Sequence, residues 1–191
     1  MNEPVFVSLL VIDVLERLGI RYVVGGSFAS TAYGRVRTTQ DIDIVASIEL
    51  KHVDSFVMAL DSAFYLDEQM ILSAISRSSS FNLIHLDTMF KVDIFLPKNR
   101  DFDKQQLIRR KKLVIDRDTA REVYFASPED TVLAKLDWYR KGGEASEIHW
   151  LDIQGILRQR SDQLDLEYMN QSAREMQIAD LLERSLQEAQ T

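Results

Sequence analysis

Apolar residues recur at helical spacing through Val5, Leu9, Val11, Ile12, Leu15 and Leu18, and Gly19 stands where a left-handed cap would close a helix. Residues 21–24, Arg-Tyr-Val-Val, read as a short buried strand. Gly25 and Gly26 stop it, and Ser27 is placed to cap a helix running to about Tyr33, where Gly34 closes the pattern. After a loop rich in Arg and Thr, Ile42-Asp43-Ile44-Val45 alternates apolar with polar and is β-branched, which predicts a strand. The opening order is therefore helix, strand, helix, strand.

Residues 50–60 and 67–76 carry helical patterns, and Ser78-Ser79-Ser80 reads as the loop that leaves them. Residues 81–85 and 89–95 are predicted strands joined through Leu86-Asp87-Thr88 and ended by Pro97. A short helix over 102–108 precedes a second strand pair, 113–115 and 122–125, with its turn near Arg117 and Asp118. From Pro128 the character becomes helical: Ser127 is an N-cap, Pro128 the first helical position, Glu129 lies in the first turn, and Gly142-Gly143 ends the element. Helices follow over 146–159 and 166–189. The expectation is an α/β catalytic unit over residues 1–127, with a mixed sheet flanked by helices, and a C-terminal helical unit over 128–191.

Composition narrows the chemistry. A length of 191 residues with 46% hydrophobic and 28% charged positions can bury a core unaided, and the absence of cysteine excludes disulfides, thiolate metal sites and cysteine nucleophiles. The first apolar run is broken by Asp13 and Glu16 before it could span a membrane, and nothing basic precedes it, so a cytoplasmic protein without membrane contact is expected. A formal charge of −7 argues against general nucleic-acid binding but leaves room for a local basic patch.

Asp41 and Asp43 sit two apart on the predicted strand, so their side chains leave one face roughly 7 Å apart at Cα, while Ile42 and Ile44 face a core. Brought to about 4 Å at an effective dielectric near 20, two carboxylates repel by roughly 4 kcal/mol, so close approach calls for a cation, and magnesium suits an all-oxygen site. Asp93, in Lys91-Val92-Asp93-Ile94-Phe95, shares a strand face with Lys91 and Phe95 and completes a candidate ligand set. In a two-ion site one metal would activate an attacking hydroxyl and the other hold a triphosphate, with Asp93 as general base or its metal-bound equivalent. Gly25-Gly26-Ser27, where a strand gives way to a helix, offers backbone N–H groups and a positive helix end to phosphates, with the Ser27 hydroxyl beside them.

The runs Val23 to Ser30, Arg37 to Ile44 and Lys91 to Ile94 resemble the nucleotidyltransferase superfamily that shares the DNA polymerase beta core. A Gly-Gly or Gly-Ser opens a helix, an Asp-x-Asp strand follows about a dozen residues on, and a third Asp lies on a later strand. The resemblance covers roughly residues 20–96. Within the superfamily the chain looks most like small prokaryotic members: abortive-infection type toxins, minimal nucleotidyltransferases paired with antitoxins, and enzymes that nucleotidylate antibiotics. It implies transfer of an NMP from an NTP such as ATP to a hydroxyl acceptor with loss of pyrophosphate. The acceptor would be tRNA, with an antitoxin protein as partner, or an antibiotic-like alcohol or a protein side chain. A non-catalytic nucleotide-binding module of the same fold is the rival from another class.

By the same similarity Lys135, in the helix begun by Ser127, is the candidate nucleotide contact, and Asp152 a further acidic helper. Arg35 and Arg37 are candidates for steering anions, and Arg109-Arg110-Lys111-Lys112 is either a tRNA patch or a solvated helix end. His52, His85 and His149 lack any paired zinc spacing and are expected to be structural; Trp138, Tyr139 and Trp150 are expected in a helical core.

Overall fold

The computed structural model describes residues 3–34, 38–39, 41–116 and 118–190. Arg35 and Arg37 therefore lie outside the described residues, as does Arg117 of the expected turn. Packing divides the chain into two compact units: Met1–Gly25 with Thr39–Phe125, and Gly26–Thr38 with Ala126–Thr191.

The first unit holds a mixed sheet. Its strands are β1 (Tyr22–Val24), β2 (Asp41–Ala46), β3 (Phe64–Tyr65), β4 (Ser80–His85), β5 (Lys91–Phe95), β6 (Lys111–Asp116) and β7 (Arg121–Phe125), in the order β3-β4-β5-β2-β1-β7-β6. The central pairing of β2 with β5 is parallel, as is that of β1 with β7, while β1–β2, β4–β5, β3–β4 and β6–β7 are antiparallel. The pleat sorts the side chains: Ile42, Ile44, Val92, Ile94, Phe81 and Leu83 are buried, and Asp41, Asp43, Lys91 and Asp93 alternate with them at half-buried positions.

Helices α1 (Glu3–Arg17), α3 (Val53–Leu60) and α4 (Glu68–Arg77) pack against one another and against the sheet, and α5 (Asp101–Ile108) lies by β1. Phe56 of α3 meets Phe81 of β4 edge to face, with ring centroids 6.2 Å apart. The expected helix over 50–60 opens with a 3-10 turn, Leu50–His52, and the two-residue β3 has no counterpart in the sequence reading.

The second unit gathers α2 (Gly26–Tyr33), α6 (Pro128–Lys141), α7 (Glu147–Arg160), α8 (Leu166–Glu175) and α9 (Ala179–Ala189). The expected border after residue 127 leaves α2 with the sheet; compactness places it here instead, because α2 packs on α6 and α7. The Tyr33 hydroxyl donates to the Ala126 carbonyl at 2.8 Å, and the backbone at Gly34 approaches that of Gly155 so closely that a Cβ would lie 2.7 Å from the Gly155 carbonyl carbon. Ser127 caps α6 as expected, accepting from the Asp130 amide at 3.1 Å. The single helix expected over 166–189 is two helices. Gln177 takes φ +59°, Ile178 N–H donates to Ala173 O at 2.8 Å, and the buried Ile178 anchors the turn.

Trp138 corrects another expectation: it is 53% exposed, while Tyr139 is buried and stacks near Trp150 with centroids 5.1 Å apart. His52 and His85 have local structural tasks. His52 Nδ1 accepts the Glu49 amide at 3.0 Å, and the buried His85 meets Thr88 Oγ1 at 3.0 Å.

Candidate active site

The parallel pairing of β2 with β5 sets Asp41 opposite Lys91 and Asp43 opposite Asp93. Adjacent strands are about 4.8 Å apart, and residues i and i+2 share a face, so three carboxylates and one ammonium emerge on one patch of the sheet. The alternation that buries Ile42, Ile44, Val92 and Ile94 forces this placement: a one-residue slip of either strand would turn the carboxylates into the core.

Thr39 stands beside the first carboxylate, its Oγ1 lying 2.9 Å from Asp41 Oδ1 and 3.0 Å from the Asp41 carbonyl oxygen. Lys91 Nζ lies 2.7 Å from Asp93 Oδ2, with the Asp93 side chain only 18% exposed. That hydrogen bond holds the lysine above its ordinary pKa; partial burial works against it, and the charges of Asp93, Asp41 and Asp43 add to the rise. Thr39 and Lys91 had no assigned role from sequence, although the i, i+2 spacing of Lys91 and Asp93 was there to read.

Gly25, directly after β1, donates its N–H to the Asp43 carbonyl at 2.8 Å, which ties the glycine turn to the acidic strand. Gly26 follows at φ +52°, a left-handed conformation that favours glycine. The helix begins at Gly26, so Ser27 is not its N-cap but lies in its first turn, buried. A helix of this kind directs its first N–H groups along its axis toward an anion.

Among the described residues, no three His, Asp or Glu side chains are drawn tightly enough to cage a metal ion. The donor set suits a hard divalent cation in kind: the ligands are all oxygen, they leave one face of two adjacent strands, and a cation, the Lys91 ammonium, already stands against one of them. Asp41, Asp43 and Asp93 are the residues that would hold it.

In the second unit, Lys135 and Asp152 form an ion pair at 2.9 Å with side chains 8% and 0% exposed. The basic run divides its work. Arg109 ends α5, Arg110 lies 3.8 Å over the Tyr124 ring and donates to the Tyr22 carbonyl at 3.3 Å, and Lys111 and Lys112 are exposed at the start of β6. A cavity of about 320 Å³ lined by Arg21, Ser47, Lys98 and Lys104, among others, sits at the opposite ends of β1 and β2 from Gly25 and Asp41. No helix among the described residues is long and apolar enough to cross a membrane.

No protein-family model matches the chain, and no curated protein matches its sequence. Solved structures do match. ANT(2'')-Ia in complex with adenylyl-2''-tobramycin superposes with a TM-score of 0.59 at 13% identity, covering 91% of this chain and 98% of that one. An antigenic nucleotidyltransferase-like protein from Paracoccidioides brasiliensis gives 0.55 at 17%, covering 97% and 93%. A lincosamide antibiotic adenylyltransferase, lincomycin-bound, gives 0.51 at 16%, covering 82% and 96%. At these identities the likeness is one of architecture, and it agrees with the motifs read from residues 20–96: this chain has the nucleotidyltransferase fold.

Proposed function

We propose that the protein is a magnesium-dependent nucleotidyltransferase that moves an NMP from an NTP, such as ATP, to a hydroxyl of a small molecule. The observation that carries this reading is the placement of Asp43 opposite Asp93, with Asp41 on the same face, beside a glycine turn hydrogen-bonded to Asp43. Magnesium, when bound, supplies the positive charge that the triphosphate and the attacking oxygen require. Asp41, Asp43 and Asp93 would hold the ion, and the Asp93 carboxylate would also take the proton of the acceptor hydroxyl as its oxygen bonds to the α-phosphorus and the bond to pyrophosphate breaks. Gly25, Gly26 and Ser27 hold the phosphates through backbone N–H groups and the serine hydroxyl. Lys135 is assigned to the nucleotide, with Asp152 as its counter-ion. We place the reaction in the cytoplasm, where nucleoside triphosphates and magnesium are abundant.

The small-molecule acceptor is favoured by the neighbours, which include a lincosamide antibiotic adenylyltransferase and a protein bound to adenylyl-2''-tobramycin. A formal charge of −7 points the same way. A second reading, a toxin that modifies tRNA and is held by an antitoxin protein, rests on the exposed Lys111 and Lys112.

Incubation with each α-labelled NTP and magnesium, and with aminoglycosides, lincosamides, total tRNA or cell extract in turn, separates these readings by which species becomes labelled. Label on tRNA selects the second. No pyrophosphate from any combination rejects catalysis and leaves a nucleotide-binding module, which retained NTP affinity would identify.

A further inference from the structure

We propose that Lys91 is a built-in counter-cation of the carboxylate patch: its ammonium engages Asp93 while no divalent ion is bound and must swing away for Asp93 to serve as a ligand, so that Lys91 sets the affinity of the site for metal. The inference rests on the reading of Asp41, Asp43 and Asp93 as metal ligands and adds a positioning residue to it.

Three observations meet here. Lys91 and Asp93 are two residues apart on one strand and therefore share a face, and their charged atoms are 2.7 Å apart. The register places Lys91 directly opposite Asp41, with Asp43 opposite Asp93, so the ammonium lies on the face from which all three carboxylates emerge. The Lys91 side chain is 42% exposed against 18% for Asp93, so the lysine is the more open to solvent of the two and has room to withdraw.

Electrostatics supplies the competition. Three carboxylates on one patch repel one another, and the Lys91 ammonium relieves part of that repulsion. A divalent ion that takes Asp93 Oδ2 at about 2.1 Å, the distance magnesium takes, occupies the oxygen the ammonium now holds, and two cations repel across so short a gap. The two cations are therefore alternatives. The flexible four-carbon stem of lysine lets the ammonium move without moving the strand. The sheet can thus keep its acidic patch folded before metal arrives, and metal affinity is lowered by the work of displacing Lys91.

The test uses the full chain without nucleotide, as wild type, Lys91→Met, Lys91→Arg and the double variant Asp41→Asn with Asp43→Asn. Manganese(II), a paramagnetic hard cation, is titrated by electron paramagnetic resonance, and each protein is melted with and without it. Lys91→Met is expected to bind manganese at least about tenfold more tightly than wild type, to melt lower without metal, and to gain more on adding it. Lys91→Arg keeps the cation and should stay within about threefold of wild type. Equal affinity of Lys91→Met and wild type overturns the proposal, as does tightening by Lys91→Arg to the same degree. If Lys91→Met does not fold, Lys91→Gln is judged by the same criterion. The double variant separates the two layers. Loss of manganese binding there, with Lys91→Met unchanged from wild type, leaves the ligand reading standing and removes Lys91 from it. Unchanged binding in the double variant, or no binding by any protein, rejects the ligands and the inference together.

Discussion

Asp43 on β2 lies directly opposite Asp93 on β5 in the parallel pairing of the two strands. If both act on the metal and the attacking hydroxyl, Asp43→Asn and Asp93→Asn should each lower kcat by at least about 10²–10³-fold, the scale on which a single preorganised charge-stabilising group acts. Their stabilities should differ. Asp43→Asn removes one of three like charges together with that residue's own contacts, so its melting temperature should move less than that of Asp93→Asn, which deprives Lys91 of its partner. Steady-state rates with a thermal melt of each variant check both statements, and full activity of either variant would sink the assignment.

Gly34 is constrained by space. A Cβ there would lie 2.7 Å from both Gly155 C and Ile156 N, backbone atoms of α7 that cannot turn aside as a side chain would. Gly34→Ala should therefore cost about 3 kcal/mol or more, at the upper end of overpacking penalties. Gly19 offers the contrast: nothing lies within 4 Å of its Cβ position, and only its φ of +68° opposes a side chain. Gly19→Ala should cost about 1–2 kcal/mol. Urea unfolding of the two variants against wild type measures the difference, and equal shifts would show that the α2–α7 approach relaxes.

The legibility of this fold followed the strength of its local signals. The alternation of Asp41 to Val45 and Lys91 to Phe95 gave the two central strands and the carboxylate face, because a period of two leaves only one way to bury Ile42, Ile44, Val92 and Ile94. Ser127 and Pro128 gave the start of α6 for the same reason: a cap has a local chemistry. The turn at Met176–Ile178 escaped notice because its left-handed residue is Gln177 and not a glycine, and the contact that fixes it is the burial of Ile178. Pairing across strands was equally hidden: Lys91 against Asp93 was visible as spacing, but Asp41 opposite Lys91 requires the register. Placing α2 with the helical unit depends on Gly34 against Gly155, a contact 121 positions apart in sequence (155 less 34).

Glu16 makes the first unit sensitive to acid. Partial burial alone would raise its pKa, but hydrogen bonds from the Tyr22 hydroxyl and Arg121, both at 2.6 Å, together with the charge of Arg121, prevail and hold it below its ordinary value of 4.5. A carboxylate with a folded pKa below its unfolded one contributes stability that is present above the unfolded value and is lost as pH falls through the folded value. Wild type should exceed Glu16→Gln in stability at pH 7, and the gap should close as the pH falls below about 4.5. Urea midpoints of both proteins at intervals from pH 7 to pH 3 test this; a gap that stays constant would mean that Glu16 acts by packing and not by charge.

Lys135 and Asp152 pose a question that stability can settle. Their charged atoms are 2.9 Å apart with side chains 8% and 0% exposed, so water does little to solvate either ion once the other is gone. Removing one partner from a buried pair costs about 3–5 kcal/mol, because the survivor is left charged in a poor solvent, whereas replacing both with apolar groups of similar volume is often close to neutral. Lys135→Met and Asp152→Leu should therefore each destabilise by that amount singly, and the double variant should recover most of the loss. Nucleotide affinity distinguishes the role of the lysine from its place in the fold. If Lys135 reaches a phosphate in the bound state, the double variant will be nearly as stable as wild type yet bind NTP with magnesium at least about tenfold more weakly, a loss of about 1.4 kcal/mol that matches one charge-assisted hydrogen bond. If the pair is purely structural, the double variant will bind as wild type does. Calorimetric titration of NTP into both proteins, alongside their melting temperatures, separates the two cases, and wild-type affinity in the stable double variant would remove Lys135 from the nucleotide site.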